Sequence, residues 1–387
     1  MSEEEKFGVA TGVRFSLDPD ASERSGEEVC REVIIELLGF KRNARDLVRR
    51  LSGALKQGMP YDRVKEHFDR LVSGYKIFSK DYYHTHLFKN ELLEAGVRHD
   101  LSNIANVLFV SIQFLARPHA IEERMHFLDT AIWAALAYSS VLEDVCLRAV
   151  YKDAVPANHQ ENIDLALLSE LTSWKVEVLK YNFLNQMSVI KLRGKSTELS
   201  TEFADPKLAS DEKITTNTSF LVNAIFNCLS NAIHAKANLS NLREAFPGLS
   251  DDDLIETKLA SRIKVVGKRE GNNYVIQVID DGQGMEQGKL DATSSQFIFL
   301  PGVSGRGGTG YGLGDMQNRA HTMGNEVQAA SRLHLGREKF GGSASYPSSE
   351  VAGASDALAE EKLESVSIDL GRKAATVFEF YLPITKK

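Results

Sequence analysis

Three stretches in the C-terminal half carry residue types and spacings suited to nucleotide chemistry. Asn227-Cys-Leu-Ser-Asn231-Ala-Ile-His234 reads as helix, and Asn227 and Asn231, at i and i+4, share one face of it. Neutral amide oxygens suit a hard Mg²⁺ ion that keeps several waters and is balanced mainly by phosphates. Asparagines so spaced also cap or bridge helices, so the pair alone decides nothing. Asp280-Asp281-Gly282-Gln283-Gly284-Met285 follows the strand-like YVIQVI. A carboxylate at a strand end can accept a hydrogen bond from an adenine amino group, and Gly282 and Gly284 let backbone approach a base without a Cβ. Finally, Gly305-Arg-Gly-Gly308-Thr-Gly310-Tyr-Gly312-Leu313-Gly314 leads into a helix. Its exposed N–H groups and the helix dipole form a phosphate cradle. No Gly-Lys-Ser/Thr follows, which excludes a Walker A loop, and the context of a Rossmann fingerprint is missing.

A second chemistry lies upstream, at Arg98-His99-Asp100-Leu101-Ser102-Asn103. At about 100° per residue, Val97, Leu101, Ile104, Leu108, Ile112 and Leu115 form an apolar stripe. His99, Asn103, Asn106 and Gln113 fall on the opposite face, so His99 is expected to be exposed. Asp100 can hydrogen-bond the imidazole, fix its tautomer and take a proton, leaving the other ring nitrogen as nucleophile. Asn103, one turn on, could orient a water. A solvated helix face carrying one of ten histidines is the plainer alternative.

The elements that must position these groups follow from the distribution of breakers. Of 28 glycines, ten lie between Gly282 and Gly314 and none between Gly96 and Gly194. The chain thus has a long helix-permissive half and a short backbone-exposing segment. Residues 1–22 are expected to be disordered and 23–78 to form an N-terminal helical region, beginning with a capping box at Ser25 and Glu28. Helices before Arg117 and from Ile121 to Val150, turned at Pro118, form a hairpin over 79–155. Two helices cannot bury such a stripe alone, so a dimeric four-helix bundle is expected. Residues 160–387 read as α+β: a helix near Ile163–Leu179, strand-like pieces FLNQMSVIKL and KSTEL, a helix Asn217–Ala237, and a polar helix-like insert Leu239–Leu259. After these come a hairpin RIKVVGKREGNNYVIQVIDD, a helix Leu313–Met323 and a closing strand ATVFEFYLP. The Ser/Ala/Gly/Glu-rich stretch 334–370 is expected to be a flexible insertion.

Composition narrows the class. Forty-six basic against 53 acidic side chains give a net charge of −7, without the basic excess of a nucleic-acid binder. Cys30, Cys146 and Cys228 have no metal-site spacing and fit buried thiols in a reducing compartment. No apolar signal region opens MSEEEKFGVATG, and Ile132–Tyr138 is far short of the ~18 residues of a membrane span. A cytoplasmic protein without a transmembrane segment is expected.

In order and combination, the three C-terminal stretches resemble the N, G1 and G2 boxes of the GHKL ATPase superfamily, and TVFEFYLP resembles its closing strand. The resemblance implies an α/β sandwich of Bergerat type with ATP under a lid at about Glu286–Thr309. Asn231 would hold Mg²⁺, with Asn227 in support. Asp280, with Gly282 and Gly284, would bind adenine. Gly308, Gly310, Gly312 and Leu313 would line the phosphates. His234 stands where the family usually has lysine. With His-Asp-x-x-Asn in the hairpin upstream, residues 80–387 resemble two-component sensor histidine kinases. That implies a homodimer in which His99 takes the γ-phosphoryl group, with Asp100 as base, and passes it to an aspartate of a response-regulator receiver domain. Asn103 matches the position linked to phosphatase activity toward the regulator. The N-terminal helices would be left for a signal-input partner. The alternatives are a conformational GHKL ATPase and a dimeric phosphotransfer or scaffold protein.

Overall fold

The structure, a computed structural model, describes residues 26–56, 60–82, 101–115, 117, 121–151, 160–189, 198–234, 262–282, 284–285, 290, 295, 297–300, 313, 316–332, 343–346, 356–371 and 374–386. Two compact units divide the chain, Met1–Lys152 and Asp153–Lys387.

The first unit is helical: α1 (Gly26–Lys56), α2 (Tyr61–Ser73), short turns at Lys76–Phe78 and Lys80–Tyr82, α3 (Ser102–Leu115) and α4 (Ile121–Val150). Helix α4 is its centre, because every side chain from Ala134 to Leu147 is buried. Such all-round burial requires neighbours on several sides. Helix α3 packs on it as the expected hairpin, but so do α1 and α2 of the same chain. The uncovered stripe that argued for a dimeric four-helix bundle is therefore covered in cis. Between α1 and α4 the Lys41 ammonium meets the Glu143 carboxylate at 2.5 Å, both buried. The segment His126–Val150 has the length and hydropathy of a membrane span, yet it is this buried core helix. On α3 the expected stripe holds: Leu101, Ile104, Leu108 and Leu115 are buried, and Asn106 and Gln113 are exposed.

The second unit is built on an eight-stranded sheet. Its strands are β1 (Glu161–Asn162), β2 (Glu198–Phe203), β3 (Glu212–Thr216), β4 (Arg262–Glu270), β5 (Asn273–Asp280), β6 (Glu326–Arg332), β7 (Ser343–Tyr346) and β8 (Thr376–Lys386). The long β8 is the hub, pairing with β5, β6 and, at its end, β3. All pairs are antiparallel except β2 with β4. One face is covered by α5 (Leu165–Val189) and α6 (Thr218–His234), which pack together. Helix α5 runs further than expected. Phe183–Val189, read as strand-like, continues the helix without a breaker.

The opposite face corrects a second expectation. Within 334–370, taken as a flexible insertion, lie β7 and the 15-residue helix α8 (Asp356–Leu370). Ala359, Leu363, Val366 and Leu370, spaced along one helical face, are buried with Val266, Ile279, Ala330 and Val377 of the sheet. At its C-terminus α8 is held by Arg262 and Lys264 of β4, whose side chains donate to the Leu370 and Asp369 carbonyls at 3.2 and 3.1 Å. Cations there offset the negative helix end. Gly371 follows at φ +68°, the left-handed conformation that ends helices and favours glycine. The expected sandwich thus has three layers, with helices on both faces of the sheet.

Candidate nucleotide-binding site

Helix α6 begins at Asn217, whose Oδ1 accepts the Phe220 N–H at 2.8 Å, an N-cap that satisfies one orphan amide. Phe220, Leu221, Ile225, Cys228 and Leu229 then fix it in the core. Down one side, at four-residue steps, run Asn223, Asn227 and Asn231. The first two are buried and the third is exposed, so the row climbs from the core to the surface. Asn227 donates through Nδ2 to Asn223 Oδ1 at 3.1 Å. With one of its two N–H donors so committed, the orientation of the amide is fixed and its oxygen is left to meet a ligand. That donor type fits Mg²⁺, which takes oxygen ligands. Among the described residues no His/Cys/Asp/Glu cluster competes as a metal site.

Strand β5 delivers the second half. Asp280, its last residue, is buried, and its Oδ1 accepts the Gly282 N–H at 2.9 Å. Its neighbour Asp281 accepts the Arg262 N–H at 2.7 Å and so clamps the start of β4. Gly284 takes φ +72°, a conformation a Cβ would penalise. Burial, and then the Asp280 carboxylate, push the Cys228 thiol well up from its ordinary range.

Sequence reasoning missed three residues. Asn223 was legible, since it is one more i−4 step from Asn227. Thr376 and Ser331 were not, because they join Asp280 only through register. Thr376 faces Asp280 across β8–β5, and Ser331 faces Thr376 across β6–β8. The row Asp280–Thr376–Ser331 is buried throughout. Partners directly opposite in antiparallel strands stand about 4.5–5.5 Å apart at Cβ, on the same face.

Of the expected site residues, the structure places Asp280, Gly282 and Gly284 at the end of β5, and Asn227 and Asn231 along one side of α6, the helix that packs on β5. Leu313 takes a helical position and is half-buried, ahead of α7 (Met316–Thr322). His99, Asp100, Gly308, Gly310 and Gly312 lie outside the described residues, as does the expected helix Leu239–Leu259. Asn103 falls in the first turn of α3 and His234 ends α6, but their side chains lie outside the described set.

A mixed, mostly antiparallel sheet thus ends in a buried polar row beneath an asparagine-bearing helix. Residues 216–386 match the family described as histidine kinase-, DNA gyrase B- and HSP90-like ATPase, and that portion of the chain is a domain of this family. Among solved structures, nucleotide-free forms of the catalytic domain of histidine kinase ThkA are similar. They are 12–13% identical, with 58% of this chain covering 93–97% of theirs at TM-scores of 0.28–0.30. Superpositions so loose add nothing to the assignment. A comparison with curated proteins gave no match.

Proposed function

We propose that the chain is a cytoplasmic, Mg²⁺- and ATP-dependent protein-histidine kinase of a two-component system. The observation that carries the reading is the ATPase-family domain at 216–386 with the sequence motif His99-Asp100 upstream of it. In this reading Asp280 accepts a hydrogen bond from the adenine amino group, and Asn231, supported by Asn227, holds Mg²⁺. The metal would neutralise charge on the transferring phosphoryl group. Asp100 orients the His99 imidazole and takes its proton while the other ring nitrogen attacks the γ-phosphorus, and ADP leaves. Phosphohistidine then passes its phosphoryl group to an aspartate of a receiver domain. Asn103 orients water for the reverse, phosphatase, activity. A homodimer belongs to the proposal through the family resemblance, not through an uncovered stripe.

The burial of α4 within one chain favours one rival, a conformational ATPase of the same superfamily. Incubation with γ-labelled ATP and Mg²⁺ separates the two. Acid-labile, alkali-stable label lost in His99→Ala supports the kinase. Label persisting in His99→Ala, or ATP turnover without any label, sinks it.

A further inference from the structure

We propose that the outward face of α1, centred on Ile35, is the surface on which two copies of this chain pair, with their α1 helices antiparallel. The inference gives a place to the homodimer of the proposed function and rests on that part of the reading.

The face is defined by what α1 buries. Cys30, Val33, Ile34, Leu37, Phe40 and Ala44 are all buried in the first unit. At about 100° per residue they take up roughly a third of the helix circumference, and the line opposite the middle of that arc passes close to Ile35. An amphipathic helix with one buried stripe carries polar residues along that line. Here it carries an isoleucine that is 59% exposed, with Leu38, 40% exposed, one turn on. Among the described residues no other two exposed large hydrophobic side chains share a helix turn. Water gains nothing from such a pair, and covering it is favourable.

The charges around the pair choose the partner. Glu28 and Arg42 are both exposed and stand seven residues, about two turns, before and after Ile35. They therefore share its face at equal distances from it. A two-fold axis through Ile35 sets Glu28 of each copy against Arg42 of the partner subunit, on either side of an apolar centre. A parallel pairing would instead set glutamate on glutamate and arginine on arginine, which is repulsive. The same polarity extends along the helix. Glu27–Glu32 holds three glutamates against one arginine, and Arg42–Arg50 holds four arginines against one aspartate. A helix acidic at its start and basic further on is complementary to a second copy of itself turned end for end. With 31 residues, α1 is about 46 Å long, enough for an apolar centre with a charged rim on both sides. The contact makes no use of the α3–α4 hairpin, on which α1 and α2 pack within one chain.

The test is sedimentation velocity of the full chain over a range of concentrations, with circular dichroism confirming that each variant is folded. Wild type should dimerise reversibly. Ile35→Gln/Leu38→Gln should weaken the dimer about 100-fold, since both copies lose the apolar centre. Glu28→Arg should weaken it about tenfold, because two ion pairs become two repulsions. Glu28→Arg/Arg42→Glu should recover most of that loss, since both pairs return with their signs exchanged. Should the apolar variant fail to fold, the charge variants carry the test, because both positions are exposed. A swap that recovers nothing overturns the antiparallel pairing. A dimer untouched by all three variants overturns the inference and leaves the homodimer of the kinase reading standing. Wild type that stays monomeric at every concentration overturns both.

Discussion

Strands β5, β8 and β6 carry one polar row on each face, and the two rows have opposite fates. On the α8 face, Gln277, Glu379 and Gln328 lie opposite one another. Lys362 of α8 closes this row, donating to Gln328 Oε1 at 2.6 Å, to the Glu379 carboxylate and to Tyr381 Oη at 3.1 Å, while Gln277 donates to Glu379 Oε1 at 2.8 Å. On the α6 face, Asp280, Thr376 and Ser331 lie at the end of the strands, next to the Gly282–Gly284 turn. Here Ser331 Oγ accepts the Met285 N–H and lies within hydrogen-bond distance of the Ala375 carbonyl and the Thr376 hydroxyl. A buried carboxylate met by a lysine from its own chain serves the fold. A buried carboxylate at a strand end, next to a glycine turn that admits close approach, suits a ligand that brings its own donors.

The contrast can be broken from either side. Lys362→Met strips the closed row of its cation and leaves Glu379 buried with its charge uncompensated. Chemical unfolding should show a loss of about 2–3 kcal/mol, with ATP affinity of the folded protein unchanged. A large loss of affinity instead would mean the two faces are one site. Asn223→Ala acts on the open side, releasing the amide that turns Asn227. The Mg²⁺-dependent part of ATP affinity should fall about 10- to 100-fold, while affinity measured without metal stays close to that of wild type. Arg262→Ala removes a donor to the last carbonyl of α8 and should cost about 1 kcal/mol in unfolding free energy, again without touching nucleotide binding. The gentlest probe is Cys228. Its raised thiol pKa leaves less thiolate at a given pH, so alkylation near pH 8.5 should be slower in the native protein than in urea. Equal rates would contradict the burial of Cys228 on the core side of α6.

What was legible in the sequence follows from how local each signal is. The β4–β5 hairpin, β8 and α6 announce themselves through alternation, a turn at Gly271 and an Asn217 cap, all within a few residues. The DxGxG turn was legible for the same reason. Helix α8 carries a plain apolar spacing at Ala359, Leu363, Val366 and Leu370, but the Ser/Gly-rich residues before it masked that pattern. Phe183–Val189 is rich in apolar and β-compatible residues, and its helical state is set by continuation from Leu165. Thr376 and Ser331 could not be found locally, because 45 residues separate them and only strand register joins them to Asp280. The cis cover of α4 by α1 and α2 was equally hidden, since periodicity shows which face of a helix is apolar and not what lies against it.

Asp280→Asn is the sharpest single change in this account. It keeps the shape of the row but replaces an acceptor-only carboxylate with an amide that also donates. Titration calorimetry of the full chain with ATP and Mg²⁺ should give saturable binding to wild type and at least about 100-fold weaker binding to folded Asp280→Asn. Wild-type affinity in that variant would contradict the assignment of the open row as the nucleotide site.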